Sequence, residues 1–191
     1  YMLLVSDEIK RLSRLIRTML NISKFEANEM VINYENVNIS DIAVQTVFMF
    51  EKKIEDKRVD ILGLDCDTIV IEADNDLMHQ MFYNLIENAV KFVNQNGTIT
   101  FDLSSNLKIA SIKIKNTGDG LSEDEIPKIF NRFYKTDESR SADASGIGLG
   151  LSIVRSIVYM HSGEIAVKSI KGEYTEFIIE LPVNKFHKDG A

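Results

Sequence analysis

Three polar side chains interrupt an apolar stretch. Asn84, Asn88 and Lys91 recur at i, i+4 and i+7 within Asn84-Leu85-Ile86-Glu87-Asn88-Ala89-Val90-Lys91-Phe92. On a helix that spacing gathers them on one face. Leu77, Met81, Leu85, Val90 and Phe92 would bury the flanks. A buried amide without a partner is costly, so such a face calls for a polar occupant. The carbonyl oxygen of Asn88 suits Mg2+, a hard cation that takes oxygen ligands, and Lys91 can neutralise a phosphate oxygen. The plainer alternative is an amide ladder bonded to its own backbone beside an exposed lysine.

Two glycine-bearing segments complement that face. In Gly146-Ile147-Gly148-Leu149-Gly150-Leu151 the glycines alternate just before a predicted helix. Backbone without side chains can approach a phosphate closely, and the free N–H groups of a helix start point at an anion. The spacing is neither that of a P-loop nor that of a dinucleotide-binding turn. Asn116-Thr117-Gly118-Asp119-Gly120 follows a predicted strand. Gly120 could lie flat against a base, and an acceptor at Asn116 could take a proton from an adenine amino group. Together the three segments predict a magnesium–ATP site.

Composition narrows the field. A net charge of −7 argues against a nucleic-acid surface, which needs clustered Lys and Arg. One cysteine, Cys66, excludes an internal disulfide, and with three scattered histidines it makes a structural zinc site improbable. No apolar run approaches the roughly 20 residues of a membrane span, and residues 1–8 turn acidic too early for a signal peptide. The abrupt opening at Tyr1 reads as the middle of a helix, which predicts a piece of a longer, membrane-anchored protein whose cytoplasmic part this is.

The elements that must position the site follow from periodicity and caps. Val5, Ile9, Leu12, Ile16 and Met19 alternate at spacings of four and three, so residues 3–27 predict one helix of a bundle that needs partner helices. Strands are expected at 30–36, 59–64, 68–72, 98–103, 109–115, 164–169 and 174–181. Asn38 is placed to cap a helix over 39–57, with Asp41 three residues on. Further helices are expected at 75–93, 122–131 and 149–161. The polar run 135–145 predicts a mobile loop, a lid over nucleotide. The expected fold is an α/β (α+β) two-layer sandwich, a mixed sheet covered by helices on one face, preceded by one long bundle helix. The expected organisation is a bundle helix at 1–28, a nucleotide-binding domain at 29–184 and a tail at 185–191.

These motifs, in this order, resemble the ATP-binding catalytic domain of bacterial sensor histidine kinases, over about residues 30–183. The resemblance implies Asn88 as the magnesium ligand and Asn84 and Lys91 at the phosphates as the catalytic pair, followed by Phe92 where Tyr is common. Asn116, Gly118 and Gly120 fall on the first glycine box, with Asn116 in place of the usual aspartate. A neutral acceptor there implies a weaker bond to adenine than a charged one. Phe130-Asn131-Arg132-Phe133-Tyr134 looks like the phenylalanine box, and Lys135 lies where an arginine often reaches for the terminal phosphate. Gly146, Ile147, Gly148, Leu149, Gly150 and Leu151 form the second glycine box, and Thr175 resembles the last box. Residues 19–26 resemble the end of the second helix of the dimerisation and phosphotransfer hairpin, which implies a homodimer and a response-regulator partner.

No histidine here stands in a phospho-acceptor context: His79 lies in the motif helix, His161 ends a helix where a cation would suit the dipole, and His187 is in the tail. Asn84 occupies the position where hydrolytic relatives place a glutamate, and an amide cannot activate water. The implied chemistry is transfer of the γ-phosphoryl to a histidine elsewhere. A non-catalytic or phosphatase-biased module with a weakened pocket is the alternative.

Overall fold

The computed structural model describes residues 31–135 and 148–184. The chain divides into two compact units, Tyr1–Ile32 and Asn33–Ala191. The expected bundle helix, the lid beyond Lys135 and the tail lie outside the described residues.

The second unit is a mixed five-stranded sheet carrying helices, as the sequence predicts. In chain order its elements are β1 (Glu35–Asn38), α1 (Ile39–Phe48), α2 (Glu51–Lys57), β2 (Asp60–Leu62), β3 (Val70–Ala73), α3 (Asn75–Phe92), β4 (Thr98–Ser105), β5 (Ile109–Thr117), a 3-10 turn (Ile126–Lys128), α4 (Gly150–Met160), β6 (Glu164–Ile170) and β7 (Tyr174–Pro182). The large sheet runs β2-β4-β5-β7-β6, with β2 parallel to β4 and the remaining neighbours antiparallel. Alternation sorts its faces. Ile99, Phe101, Leu103, Ala110, Ile112, Ile114, Phe177, Ile179 and Leu181 are buried on one side, while Asp102, Lys113 and Glu180 stand on the other. Both outer strands offer poor edges. β2 is three residues long, and β6 shows Glu164 and Lys168 to solvent.

α3 is the centre of the helical layer. Met78, Met81, Phe82, Leu85, Ile86, Ala89 and Val90 are buried in it, against α1, α4 and β5. Its start is capped by Asp74, whose Oδ1 accepts from Leu77 N at 3.1 Å. Asn38 caps α1 as expected, accepting from Asp41 N at 3.3 Å.

The structure departs from the sequence reading in four places. β1 begins at Glu35 rather than at 30, and with β3 it forms a separate two-stranded sheet. The pairing can extend no further because Asp74 leaves β3 to cap α3. The single helix expected over 39–57 is two helices. The chain tightens at Met49 and Phe50 into bonds to Thr46 O and Val47 O, and Phe50 turns inward against the Tyr83 ring, 5.3 Å between centroids. The helix expected at 122–131 shrinks to turns around Pro127, which cannot donate to a helical ladder.

His161 is the fourth departure. It is buried, its Nε2 accepts from Asp74 N at 3.1 Å and its Nδ1 lies 2.8 Å from Ile157 O. The ring is therefore neutral and bridges α4 to the start of α3, and it is no helix-end cation. Burial pushes its pKa below the ordinary 6.5, outweighing the Ile157 carbonyl and the Asp74 charge. As the pH falls, the unfolded chain takes up this proton before the folded one. Stability should thus be full above about pH 6.5 and decline below it. Melting temperatures at about pH 7.5 and 5.5 should show a drop that is shallower in His161→Gln. Equal slopes in both proteins would remove His161 from the acid response.

Candidate nucleotide site

The polar stripe expected on α3 is present, bordered by buried Met81 and Leu85 on one side and by half-buried Tyr83 and Glu87 on the other. Asn84, Asn88 and Lys91 are each half-buried, and they differ in how they are satisfied. Asn84 donates through Nδ2 to Gln80 O at 2.9 Å, so its own helix orients it and leaves Oδ1 outward. In that respect the backbone-bonded alternative holds for Asn84. Among the described residues the Asn88 amide makes no hydrogen bond and is not sealed from solvent. It is the polar group of the stripe that the fold itself does not use. The Lys91 ammonium stands over the Phe92 ring, 4.9 Å from its centroid. Glu87, one residue before Asn88, accepts from the Tyr83 hydroxyl at 3.4 Å along the same helix.

The first turn of α4 faces this stripe. A Cβ at Gly150 would lie 3.4 Å from Asn84 Oδ1, so the helix start and the amide are neighbours. Leu149 is buried and Leu151 half-buried, which sets the helix on the core, while Gly146 and Ile147 lie outside the described residues. The phenylalanine-rich segment joins here, because Phe133 N donates to Gly148 O at 2.9 Å. Gly148 has φ +76°, and a Cβ there would sit 2.6 Å from Tyr134 O and 2.9 Å from Phe133 C. Only glycine fits between that segment and α4. Phe133 itself is 59% exposed at φ +62°, whereas Phe130 packs edge-on against Phe177 at 6.3 Å. Tyr134 and Lys135 are half-buried at the end of the described stretch.

At the other end of α3 the chain meets the first glycine turn. Val93 forms a bridge with Gly118, and a Cβ on Gly118 would fall 2.3 Å from Phe92 O. Gly118 N donates to Glu173 O at 3.1 Å and Gly172 N to Asp119 O at 2.7 Å, so the turn rests on the β6–β7 hairpin. Gly120 is held against the same hairpin beside Ile170. Asn116 is buried, and its Nδ2 donates to Thr117 O at 3.1 Å. That bond fixes the amide and leaves Oδ1 as an acceptor with no donor among the described residues. Thr175 pairs in register with Asn116 across β5 and β7, and with Ser169 across β7 and β6.

Sequence reasoning missed Ser169, whose Oγ donates to Tyr174 O at 2.6 Å, lies 3.1 Å from Thr175 Oγ1 and accepts from Leu121 N at 2.8 Å. It ties the chain after Gly120 to the row holding Asn116. A serine in a strand carries no signal of its own; only the register across β5, β7 and β6 finds it.

The matched family fits this geometry. Residues 73–185, more than half of the chain, match the histidine kinase-, DNA gyrase B- and HSP90-like ATPase model, and the chain belongs to that family. Within it the likeness is to the catalytic domains of sensor histidine kinases. The sensor histidine kinase YclK of Bacillus subtilis is 35% identical over 94% of this chain, and the sensor protein SrrB of Staphylococcus aureus is 34% identical over 94%. The chain spans 38% and 31% of the lengths of those two proteins. The catalytic domain of the histidine kinase ThkA superposes with a TM-score of 0.69 at 27% identity, over 80% of this chain and 97% of that one. ThkA in complex with the response regulator TrrA superposes with a TM-score of 0.73 at 26% identity, over 94% and 49% of the two chains.

Gly148→Ala tests the joint between the phenylalanine-rich segment and α4. A left-handed backbone and the overlap with Tyr134 O should together lower unfolding free energy by about 1–2 kcal/mol, read by chemical denaturation. Unchanged stability would mean that the joint opens without cost.

Proposed function

We propose that this chain binds Mg-ATP between α3 and the start of α4 and donates the γ-phosphoryl to a histidine supplied from outside it, for relay to a response regulator. The observation that carries the reading is the unused Asn88 amide on a stripe that faces the Gly150 helix start. A half-buried oxygen donor without a protein partner fits a hard divalent cation, and Asn88 would hold it. Mg2+ bound there would offset charge on the phosphate oxygens.

The chain's own residues do the rest. Lys91 and Asn84 orient the phosphates, with Asn84 steadied by Gln80 O. The backbone of residues 146–151 receives phosphate oxygens at the α4 N-terminus. Asn116 Oδ1 accepts from the adenine amino group beside Thr175, Gly118 and Gly120 let the turn beside the base pack against Phe92 O and Ile170 O, and Phe92 closes its edge. Phe133, Tyr134 and Lys135 approach from the segment bonded to Gly148. Catalysis is then positioning and charge neutralisation. Asn84 provides no base for water, which favours transfer over hydrolysis.

In this reading residues 1–28 are a bundle helix of a homodimer, 29–184 the catalytic domain and 185–191 a tail. The same reading places the domain on the cytoplasmic side of a membrane-anchored sensor. No described helix is long and apolar enough to cross a membrane.

Calorimetric titration with a non-hydrolysable ATP analogue tests the reading. Binding should be magnesium-dependent and near micromolar, about −8 kcal/mol. Asn88→Ala should weaken it about tenfold or more and remove the magnesium dependence. GTP should bind about tenfold or more weakly than ATP, because guanine presents a carbonyl to the Asn116 acceptor. Failure to bind even at millimolar nucleotide would favour the non-catalytic module, in which Asn116 marks a weakened pocket.

A further inference from the structure

We propose that Lys57, the last residue of α2, is a positioning residue for the nucleotide site: its ammonium caps the C-terminal end of α3 and makes that end tolerant of a triphosphate. The inference rests on the nucleotide reading above and deepens it.

The bonds at the end of α3 account for its carbonyls one by one. Val93 N closes the helix on Ala89 O at 2.9 Å. Lys57 Nζ donates to Val90 O at 2.9 Å, Lys91 O at 2.8 Å and Val93 O at 3.0 Å, using all three ammonium protons. Phe92 O is left facing Gly118. A helix normally ends with unpaired carbonyls and about half a negative charge. Here that end lies within one turn of Asn88 and Lys91, where anionic phosphates are to be held. A helix C-terminus repels an anion; a lysine on its carbonyls offsets the repulsion without occupying the pocket.

The same lysine fixes where the end of α3 lies. Asn96 N donates to Lys57 O at 2.9 Å and Gln95 Nε2 to Asp56 O at 3.3 Å, so α2 holds the turn after α3 from one side. Thr117 Oγ1 donates to Asn94 Oδ1 at 2.6 Å and holds it from the other, next to Gly118. Burial lowers the Lys57 pKa, with Lys53 adding to the effect. An ammonium held among carbonyls at such a cost is not a solvated surface lysine.

Titrations of wild type, Lys57→Met and Lys57→Arg with the ATP analogue and with AMP, beside their melting curves, decide the matter. Lys57→Met should bind the triphosphate about tenfold more weakly and AMP less than about twofold more weakly. Lys57→Arg, which keeps charge and donors, should recover most of the loss. Equal losses for both nucleotides would show a purely structural cap and overturn the proposal, as would unchanged binding. If Lys57→Met does not fold, Lys57→Gln, which keeps a donor and lacks the charge, replaces it, and the same ratio of triphosphate to AMP decides. Absent binding by the wild type removes the nucleotide reading and this proposal with it. Wild-type binding that Lys57→Met retains in full overturns this proposal alone.

Discussion

The constraint on which the structure turns is the crowding of α3. α1, α4 and β5 cover it on separate sides, and eight of its residues are buried. What remains is a less buried face that carries His79, Gln80, Tyr83, Asn84, Glu87, Asn88 and Lys91. Any polar group the helix carries must therefore appear on that face or be satisfied internally. Asn84 does both, bonding Gln80 O while showing its oxygen to Gly150. The packing in this sense limits the chemistry of the site: the core decides which face of the helix can meet a ligand, and residue type selects Asn84, Asn88 and Lys91 on it.

Order along the chain then distributes the remaining parts around the two ends of α3. The start of α3 is joined to α4 through Asp74 and His161. Its end is joined to β5 through Val93 and Gly118. The β6–β7 hairpin carries the glycine turn on its back and aligns Thr175 with Asn116. Segments far apart in sequence thus reach one surface because each is fastened to the same helix or to the sheet beneath it.

Much of this was legible in the sequence, for identifiable reasons. The period of α3, the alternation in β4 and β5, and the cap at Asn38 are local signals that tertiary packing reinforces. The glycine turns were legible as turns, since their φ values demand little else. Ser169, Lys57 and the neutral state of His161 were not. Each acts through a partner distant in sequence, and a lysine at the end of its own helix reads as a cap for that helix until a neighbouring helix end is seen above it. The break at Met49 was hidden for a related reason. Thr46, Phe50 and Ile54 keep an unbroken helical spacing, and only the bonds of Met49 and Phe50 to Thr46 O and Val47 O show that the chain tightens between them.

The outer strands of the large sheet carry a consequence of their own. β2 offers three residues of backbone, and β6 carries Glu164 and Lys168 on the solvent face of the sheet. Short or charged margins of this sort discourage a foreign strand from adding on. Copies of the domain brought close together would therefore not zip into a continuous ribbon, and association is left to helices and loops, whose contacts can be made and broken without unpicking a ladder of backbone hydrogen bonds.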